Sequence, residues 1–271
     1  MLTKIFAFFL KISPKLKRIV WKKLYEFLSR KYPTEEWTFM NYGYESTSTP
    51  MAIPLKKEEE FNRYMIQLYH YVATAIDLKG MDVLEVGSGR GGGSSYIKRY
   101  LKPKTMLGVD YSKNAIQFSN KQHSVDGLNF VQDDAENLSL KNESIDAVVN
   151  IESSHCYGSM KKFLKQVYRV LRNDGYLLFA DLRPSEEIQT LDKLFADTGF
   201  KTIKKELISK EVVHAMEAFH EFKFNFFQKM VKGWLKKPLN DFAGIKGSNI
   251  HLELSNGKMV YYHYVLKKTK K

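Results

Sequence analysis

The sequence is short of cysteine, of long apolar runs and of clustered metal ligands, and each shortage excludes a class of protein. Cys156 is the single cysteine among 271 residues, so no disulfide can form within the chain and a reducing compartment is expected. The seven histidines are scattered and lack a second thiol, which predicts no metal centre. The apolar run at residues 5–10 is too short for a signal peptide or a membrane span, so we expect a cytoplasmic protein.

Positive charge is abundant. Lysine and arginine total 43 against 30 acidic residues, a formal net charge of +13 that favours anionic lipid, nucleic acid or an anionic substrate as partner. The lysines cluster at both ends of the chain and no RNA-binding module is recognisable, so we do not expect a nucleic-acid partner. A hydrophobic content of 44% is enough for a substantial core.

Residues 1–31 predict a basic amphipathic helix. Its apolar face is formed by Leu16, Ile19, Val20, Leu24, Phe27 and Leu28. Six basic residues lie away from this face, and Trp21 and Tyr25 flank it. Such a helix can lie on an anionic membrane surface, or it can dock on its own domain as a lid over the active site. The sequence leaves both alternatives open.

From residue 83 onward, strands alternate with helices. The predicted strands span residues 83–86, 105–109, 128–131, 145–151, 176–180, 200–207 and 259–266. Helical periodicity separates most of them, which predicts βαβ units and an α/β fold with a Rossmann-like, mostly parallel sheet of seven strands. Polar residues follow several strand ends, where ligands bind in such sheets.

The stretch at residues 83–95 predicts a ligand-binding loop. Five glycines fall within seven positions directly after a buried strand. Glycine allows a backbone to turn at positive φ and a ligand to approach the main chain, and a strand that leads through such a loop into a helix binds nucleotides. Glu85, inside the strand, can reach a cationic amino-acid group through water. A structural turn or an NAD loop is the alternative.

The loop and the next strand end together indicate the cofactor. The pattern Glu-x-Gly-x-Gly-x-Gly is made by Glu85, Gly87, Gly89 and Gly91. This pattern resembles motif I of the class I S-adenosylmethionine (SAM) methyltransferases. Asp110, at the end of the second predicted strand, is placed to accept hydrogen bonds from both ribose hydroxyls of a nucleoside.

The third strand end matches the second motif of the same class. There the resemblance implies that the carboxylate of Asp134 binds the adenine amino group and that the N–H of Ala135 meets a ring nitrogen. It also implies Tyr111 and Asn150 as cofactor contacts. A sulfonium provides its own leaving group, so SAM is the expected cofactor and no metal is required.

The fourth strand end, Asn-Ile-Glu-Ser-Ser-His-Cys-Tyr at residues 150–157, carries the candidate catalytic residues. Nucleobase amino-methyltransferases have an Asn/Asp-Pro-Pro-aromatic element here, and its replacement argues against that substrate; Cys156 is a poor cytosine C5 nucleophile. His155 has a reference pKa of roughly 6.5, suited to a general base, and we expect the sulfonium charge to keep it neutral. Alternatively, His155 binds neighbouring backbone. Glu152 either orients His155 or caps a turn.

Nearly the whole chain resembles one subfamily, the phthiotriolone and phenolphthiotriolone dimycocerosate methyltransferases. The resemblance includes Glu-Val-Gly-Ser-Gly-Arg-Gly-Gly-Gly, Asp-Ala-Glu-Asn-Leu, Glu-Ser-Ser-His-Cys-Tyr and Ala-Asp-Leu-Arg-Pro, and it is weakest at the basic start. It implies a SAM-dependent O-methyltransferase of a lipophilic lipid or polyketide-type hydroxyl. The residues expected at the substrate or in the cap are Tyr42, Tyr44, His70 and Tyr157.

This interpretation divides the chain into two parts. Residues 1–54 form an N-terminal amphipathic helix and an aromatic cap segment, and residues 55–271 form the SAM-binding domain with a helical lid inserted at residues 209–245. Three rival functions remain: an N-methyltransferase of a small amine, a basic RNA-binding or RNA-methylating protein on the same fold, and a SAM-binding protein without catalysis.

Overall fold

A single seven-stranded sheet organises the structure, a computed structural model that describes residues 37–49, 51–222, 224, 240 and 243–269. The strands are β1 Asp82–Val86, β2 Thr105–Asp110, β3 Leu128–Gln132, β4 Ile145–Ile151, β5 Leu171–Pro184, β6 Phe200–Leu207 and β7 Met259–Lys268. Their order is β3-β2-β1-β4-β5-β7-β6. The first five strands are parallel, and β7 runs antiparallel between β5 and β6. The predicted Rossmann-like, mostly parallel fold is confirmed.

Helices cover the sheet. They are α1 Arg63–Ala73, α2 Gly92–Tyr96, α3 Lys113–Gln122, α4 Met160–Val170, α5 Ile188–Thr198, α6 Ser209–Ala218 and α7 Asn249–Ser255. Serine side chains fix where three of them begin, because Ser112, Ser159 and Ser248 each accept a hydrogen bond from a backbone N–H in the first turn. Such N-caps typically contribute about 1 kcal/mol each.

Two apolar clusters fill the space on either side of the sheet. Along β4, Ala147 and Val149 belong to one cluster and Val148 belongs to the other. This alternation is the two-residue period of a strand, and burial on both faces is what a parallel sheet covered by helices requires. The core therefore holds the carboxyl ends of β1 to β4 at one edge of the sheet.

The predicted element boundaries differ from the structure in several places. Apolar residues at helical spacing predict a helix over residues 58–76, but the structure begins it as a 3-10 helix, Lys57–Asn62, and makes it α-helical in α1. The sequence after the glycine loop predicts a helix over residues 94–101, whereas the helix begins earlier and ends in a π-helical turn, Ile97–Leu101. Helix α7 was not predicted, because seven residues give too short a period to recognise.

An aromatic segment at residues 37–44 crosses the carboxyl edge of the sheet. The carbonyl of Thr38 accepts the Gly92 N–H at 3.3 Å, and the N–H of Tyr44 donates to the Tyr64 carbonyl at 3.0 Å. The segment thus joins the glycine loop to α1 and covers the site, as a cap does. The predicted helix at residues 1–31 and most of the predicted lid beyond α6 lie outside the described residues, so the domain division stays a prediction.

Candidate active site

A cavity of about 1070 Å³, including its mouth open to solvent, lies at the carboxyl edge of the sheet. Its lining comes from residues 38–41, 86–90, 109–112, 133–136, 151–153 and 156–157, together with Tyr69, Gly93 and Ala115. The first range is the aromatic segment, and the next four follow the ends of β1, β2, β3 and β4.

The glycine loop is shaped by close packing on one side and open to the cavity on the other. A Cβ at Gly87, which has a φ of +80°, would stand 1.8 Å from Ser153 Oγ. Gly89 lines the cavity, and a Cβ there would meet only Met40 Sδ, at 3.8 Å. Gly91 also has a positive φ, but it packs against Phe130 and does not line the cavity. The structure thus leaves the backbone at Gly89 open to a ligand.

Glu85 lies beneath the loop and does not line the cavity. It accepts hydrogen bonds from the Tyr69 hydroxyl at 2.6 Å and from the Ser94 hydroxyl. Burial raises the pKa of Glu85 to about 7, although these hydrogen bonds oppose the rise. Tyr69, which donates to Glu85, does line the cavity. The predicted contact of Glu85 with the cofactor stays a prediction.

Asp110 faces the cavity from the end of β2. Its Oδ2 accepts the Gly89 N–H at 2.9 Å and its Oδ1 accepts the Ser112 N–H at 2.8 Å. Burial raises its pKa, and these backbone hydrogen bonds oppose that rise. A carboxylate has about four acceptor positions, so Asp110 can hold the loop and still accept a hydrogen bond from a ligand hydroxyl.

Asp134 and Ala135 line the same cavity after the end of β3, and so does Tyr111. The Oδ1 atom of Asp134 accepts the Glu136 N–H at 2.9 Å, which fixes the turn. Ser88 Oγ, which is buried at the cavity, has no hydrogen-bond partner in the described part of the chain. Two strand-end acids, open loop backbone and an unpartnered hydroxyl match the ribose, adenine and amino-acid groups of SAM, so the residues fit this cofactor.

Asn150 does not line the cavity but positions a residue that does. Its Nδ2 donates to the Val86 carbonyl at 2.8 Å and to the Tyr157 hydroxyl at 3.0 Å. Tyr157 lines the cavity and also contacts Ser153 Oγ at 2.8 Å. Asn150 therefore ties the ends of β1 and β4 together beneath Tyr157.

His155 is paired with a buried carboxylate and does not line the cavity. Its Nδ1 lies 2.8 Å from Asp181 Oδ1, and Arg183 Nη1 lies 3.1 Å from Asp181 Oδ2. Burial lowers the pKa of His155, but the interactions with Cys156 and Asp181 outweigh burial and raise the pKa above its usual value. The expectation of a neutral imidazole concerns the protein with its cationic cofactor bound, so this expectation and the base role of His155 both stay predictions.

Glu152 lines the cavity in a backbone conformation that only a few non-glycine residues adopt, with a φ of +45°. Its Oε1 accepts the Tyr42 N–H at 2.8 Å and the Tyr261 hydroxyl at 3.0 Å. Burial raises the pKa of Glu152 to about 7, while the hydrogen bond from Tyr42 and the charge of His155 oppose the rise. Glu152 therefore presents to the cavity a carboxyl group that is held by the aromatic segment and by β7.

The other residues predicted for the substrate or the cap lie outside the cavity lining. The ring of Tyr44 stacks on Tyr71 with 4.3 Å between centroids. His70 Nδ1 contacts the Tyr96 hydroxyl at 2.7 Å. Tyr42 reaches the site through its main chain, which bonds Glu152. Of the four residues predicted for the substrate or the cap, Tyr157 is the one that belongs to the described cavity lining.

Arg90, in the glycine loop, was missed from the sequence as a site residue. It lines the cavity, and its guanidinium carbon lies 4.1 Å from the centroid of the Phe118 ring and 5.1 Å from that of Trp37. Burial lowers its pKa to about 10. These cation–π contacts join the aromatic segment to the loop. The arginine was visible in the motif, but its partners are distant in sequence.

Neither a metal centre nor a membrane span is found in the part of the chain that the structure describes. No group of three or more His, Cys, Asp or Glu side chains is arranged to hold an ion there. Within the same residues, no helix combines the length and the apolar character needed to cross a bilayer.

Solved structures show the same fold. A protein from Galdieria sulphuraria described as a putative sarcosine dimethylglycine methyltransferase superposes with a TM-score of 0.70 at 12% identity, covering 89% of this chain and 98% of that one. The cyclase SpnF superposes with a TM-score of 0.68 at 18% identity, covering 92% and 95%. At these identities the likeness establishes the fold alone.

Sequence comparison establishes the family. A methyltransferase-domain model matches residues 84–179. A phthiotriol/phenolphthiotriol dimycocerosates methyltransferase of Mycobacterium leprae is 38% identical over 245 residues, 90% of each chain. A fatty-acid O-methyltransferase of Mycolicibacterium smegmatis is 41% identical over 207 residues, 76% of this chain and 75% of the relative. The chain therefore belongs to the phthiotriol/phenolphthiotriol dimycocerosates methyltransferase family and is a SAM-dependent methyltransferase of the class I fold.

Proposed function

We propose that the protein transfers a methyl group from SAM to a hydroxyl of a lipophilic molecule. The observation that carries the proposal is a single cavity shared by the glycine loop, Asp110, Asp134 and the end of β4. The relatives named for methylating phthiotriol dimycocerosates and fatty acids support a lipid acceptor. Apolar lining residues such as Phe39, Met40 and Ile151 fit an acceptor of this kind.

The protein's part in the reaction is alignment and exclusion of water. Bound SAM would supply a methyl group on a cationic sulfonium. The acceptor oxygen would attack the methyl carbon in line with the carbon–sulfur bond, and the sulfur would be the leaving group. Asp110, Asp134 and the loop backbone hold the nucleoside, and the segment at residues 37–44 covers the site. Holding two reactants in this way lowers the barrier because their translational and rotational freedom is already lost. One base must also take the hydroxyl proton.

Methyl transfer to matched acceptors tests the function. Purified protein is incubated with SAM and a long-chain alcohol, and products are identified by mass spectrometry. We expect an ether carrying one added methyl group. Faster transfer to an amine of the same chain length would favour the N-methyltransferase rival, which Glu152 makes chemically reasonable because a carboxylate can hold an ammonium group. Transfer to RNA alone would favour the RNA rival, and SAM binding without any product would favour a protein without catalysis.

Peripheral membrane contact through residues 1–31 is proposed from the sequence alone, with a cytoplasmic location. If the basic amphipathic pattern serves this purpose, the full chain will co-sediment with anionic phospholipid vesicles at low salt. A chain lacking residues 1–31 is expected to remain in the supernatant while binding SAM normally. Vesicles of neutral phospholipid are the control. Equal retention of both chains on anionic vesicles would place the contact elsewhere.

A further inference from the structure

The two oxygens of the Glu152 carboxylate have different surroundings. Oε1 accepts both the Tyr42 N–H at 2.8 Å and the Tyr261 hydroxyl at 3.0 Å. Oε2 has no hydrogen-bond partner among the described residues, although the side chain lines the cavity. One oxygen is thus held by the protein, and the other remains available to a group inside the cavity.

Three separate elements hold Glu152 in place. It directly follows β4, its Tyr42 partner lies in the aromatic segment, and Tyr261 belongs to β7. Tyr261 is fully buried, so its hydroxyl has a fixed direction. A left-handed backbone at a non-glycine residue carries a conformational cost, and such costs are concentrated at functional sites.

His155 has the opposite arrangement. Its Nδ1 is engaged by Asp181, and the cavity lining passes from Ser153 to Cys156 without including it. The same Asp181 carboxylate accepts the backbone N–H of His155 at 3.0 Å and the hydroxyl of Ser154 at 2.6 Å. Asp181 therefore holds His155 through both its ring and its backbone, and His155 is not among the lining residues.

We propose that Glu152 is the catalytic base that takes the acceptor's proton, and that Tyr261 is the residue that positions it. This inference rests on the proposed function. In the step, the hydroxyl O–H bond breaks and its proton passes to the Glu152 carboxylate. The oxygen forms a bond to the methyl carbon, and the carbon–sulfur bond breaks with its electron pair remaining on sulfur. Charge and atoms balance without a further reactant.

The surroundings of Glu152 suit a base that works near neutral pH. Its pKa is raised to about 7 by burial, and the charge of Asp181 acts in the same direction. The charge of His155, the Tyr42 N–H and the Tyr261 hydroxyl act in the other direction, and Tyr69 is the remaining titratable neighbour. A positively charged cofactor favours the carboxylate further. The rate should therefore rise with pH through a value at or somewhat below about 7.

Substitution of each candidate base separates the two assignments. Glu152→Gln keeps the shape and removes the base, so turnover of a long-chain alcohol should fall by roughly 10²–10⁴-fold. His155→Gln should stay within about tenfold of the wild type, because it removes support and leaves the base. Calorimetry with SAM shows whether each variant still binds the cofactor. A larger loss in His155→Gln than in Glu152→Gln would overturn the proposal.

Tyr261→Phe tests the positioning role through pH. Without the hydroxyl donor, the charged carboxylate is less favoured, so the acid limb of the rate profile should move up by about one pH unit. Tyr264→Phe is the matched control, since Tyr264 lies on the same strand and donates to Asp192 at 2.9 Å. An equal shift in both variants, or none in Tyr261→Phe, would contradict the role of Tyr261.

A measurement without substrate completes the test. Infrared difference spectra of the cofactor-free protein should show a carboxyl group titrating near pH 7 that is absent from Glu152→Gln. Glu85, whose pKa is also raised to about 7, provides a second signal that persists in this variant. In Tyr261→Phe the first signal should move to higher pH. A Glu152 signal near pH 4 would overturn the base assignment even if methyl transfer is observed, and methyl transfer to no acceptor would contradict the proposed function instead.

Discussion

Replacing Asp110 with alanine is expected to weaken SAM binding by about 2–4 kcal/mol, which corresponds to roughly 30–1,000-fold in the dissociation constant. The carboxylate faces the cavity and offers an acceptor to each ribose hydroxyl. It also accepts the Gly89 N–H at 2.9 Å and the Ser112 N–H at 2.8 Å, so its removal releases the glycine loop as well. Titration calorimetry with SAM measures the loss directly.

Asp126 provides the control for this variant. It is exposed and precedes β3 at the opposite edge of the sheet from the cavity, so Asp126→Ala should bind SAM as the wild type does. Thermal unfolding of both variants checks that the fold is retained. Unchanged SAM affinity in folded Asp110→Ala would show that the ribose is held elsewhere, and tight binding of NAD by the wild type would show that the cofactor was misassigned.

Asp181→Asn is expected to lower the free energy of unfolding by about 3–5 kcal/mol at pH 7. The carboxylate is 1% exposed and pairs with Arg183, which is itself buried. It also contacts His155 Nδ1 and accepts the hydroxyl of Ser154 at 2.6 Å and the backbone N–H of Leu182 at 2.8 Å. A neutral amide leaves the buried guanidinium without its counter-charge, and this unpaired charge dominates the cost.

The stability lost in Asp181→Asn should depend on pH. Burial alone would raise the pKa of Asp181, but Arg183, His155 and the hydrogen bonds outweigh burial and hold the pKa well below its usual value. A depressed pKa gives stability that is present in full above the unfolded-state value of roughly 4 and is lost as the pH falls below it. The gap between wild type and Asp181→Asn in urea unfolding should therefore be wide at pH 7 and narrow in strong acid.

An exposed ion pair of the same length supplies the comparison. Lys258 Nζ lies 3.1 Å from Glu253 Oε1, the distance that also separates Arg183 Nη1 from Asp181 Oδ2. Because water solvates both partners, Glu253→Gln should change stability by less than about 1 kcal/mol. Similar losses in the two variants would show that the Asp181 cluster is not isolated from solvent.

The cofactor half of the site was predictable from the sequence because its signals are local. The glycine loop, Asp110 and Asp134 each stand within a few residues of a recognisable strand, and parallel strands bring such ends to one edge. The alternation of strands and helices likewise predicted the sheet. Gly91 shows the limit of a motif: the pattern includes it, but Phe130 from a different strand determines its surroundings.

The acceptor half depends on contacts between distant residues. Tyr261 stands 109 positions from Glu152, and Tyr42 stands 110 positions from it, so no local pattern links them. The pairing of His155 with Asp181 was likewise not predicted, because Asp181 lies on the neighbouring strand. Asp181 was visible at the end of a predicted strand, but its approach to His155 depends on how the chain turns after β4. The position of Asp181 at the end of a predicted strand was the signal in the sequence that could have suggested this pairing.

The position of β7 between β5 and β6 bears on how the protein is made. The ribosome releases the chain from its amino end, so β7, Met259–Lys268, emerges after both of the strands it separates. Until then β6 has no partner in the sheet and β5 presents an unpaired edge, which is a surface prone to aggregation. The glycine loop and β1 to β4 precede β7 in the chain, and Tyr261 can reach Glu152 only once β7 is in place. The site should therefore be complete only after β7 has been synthesised and has entered the sheet.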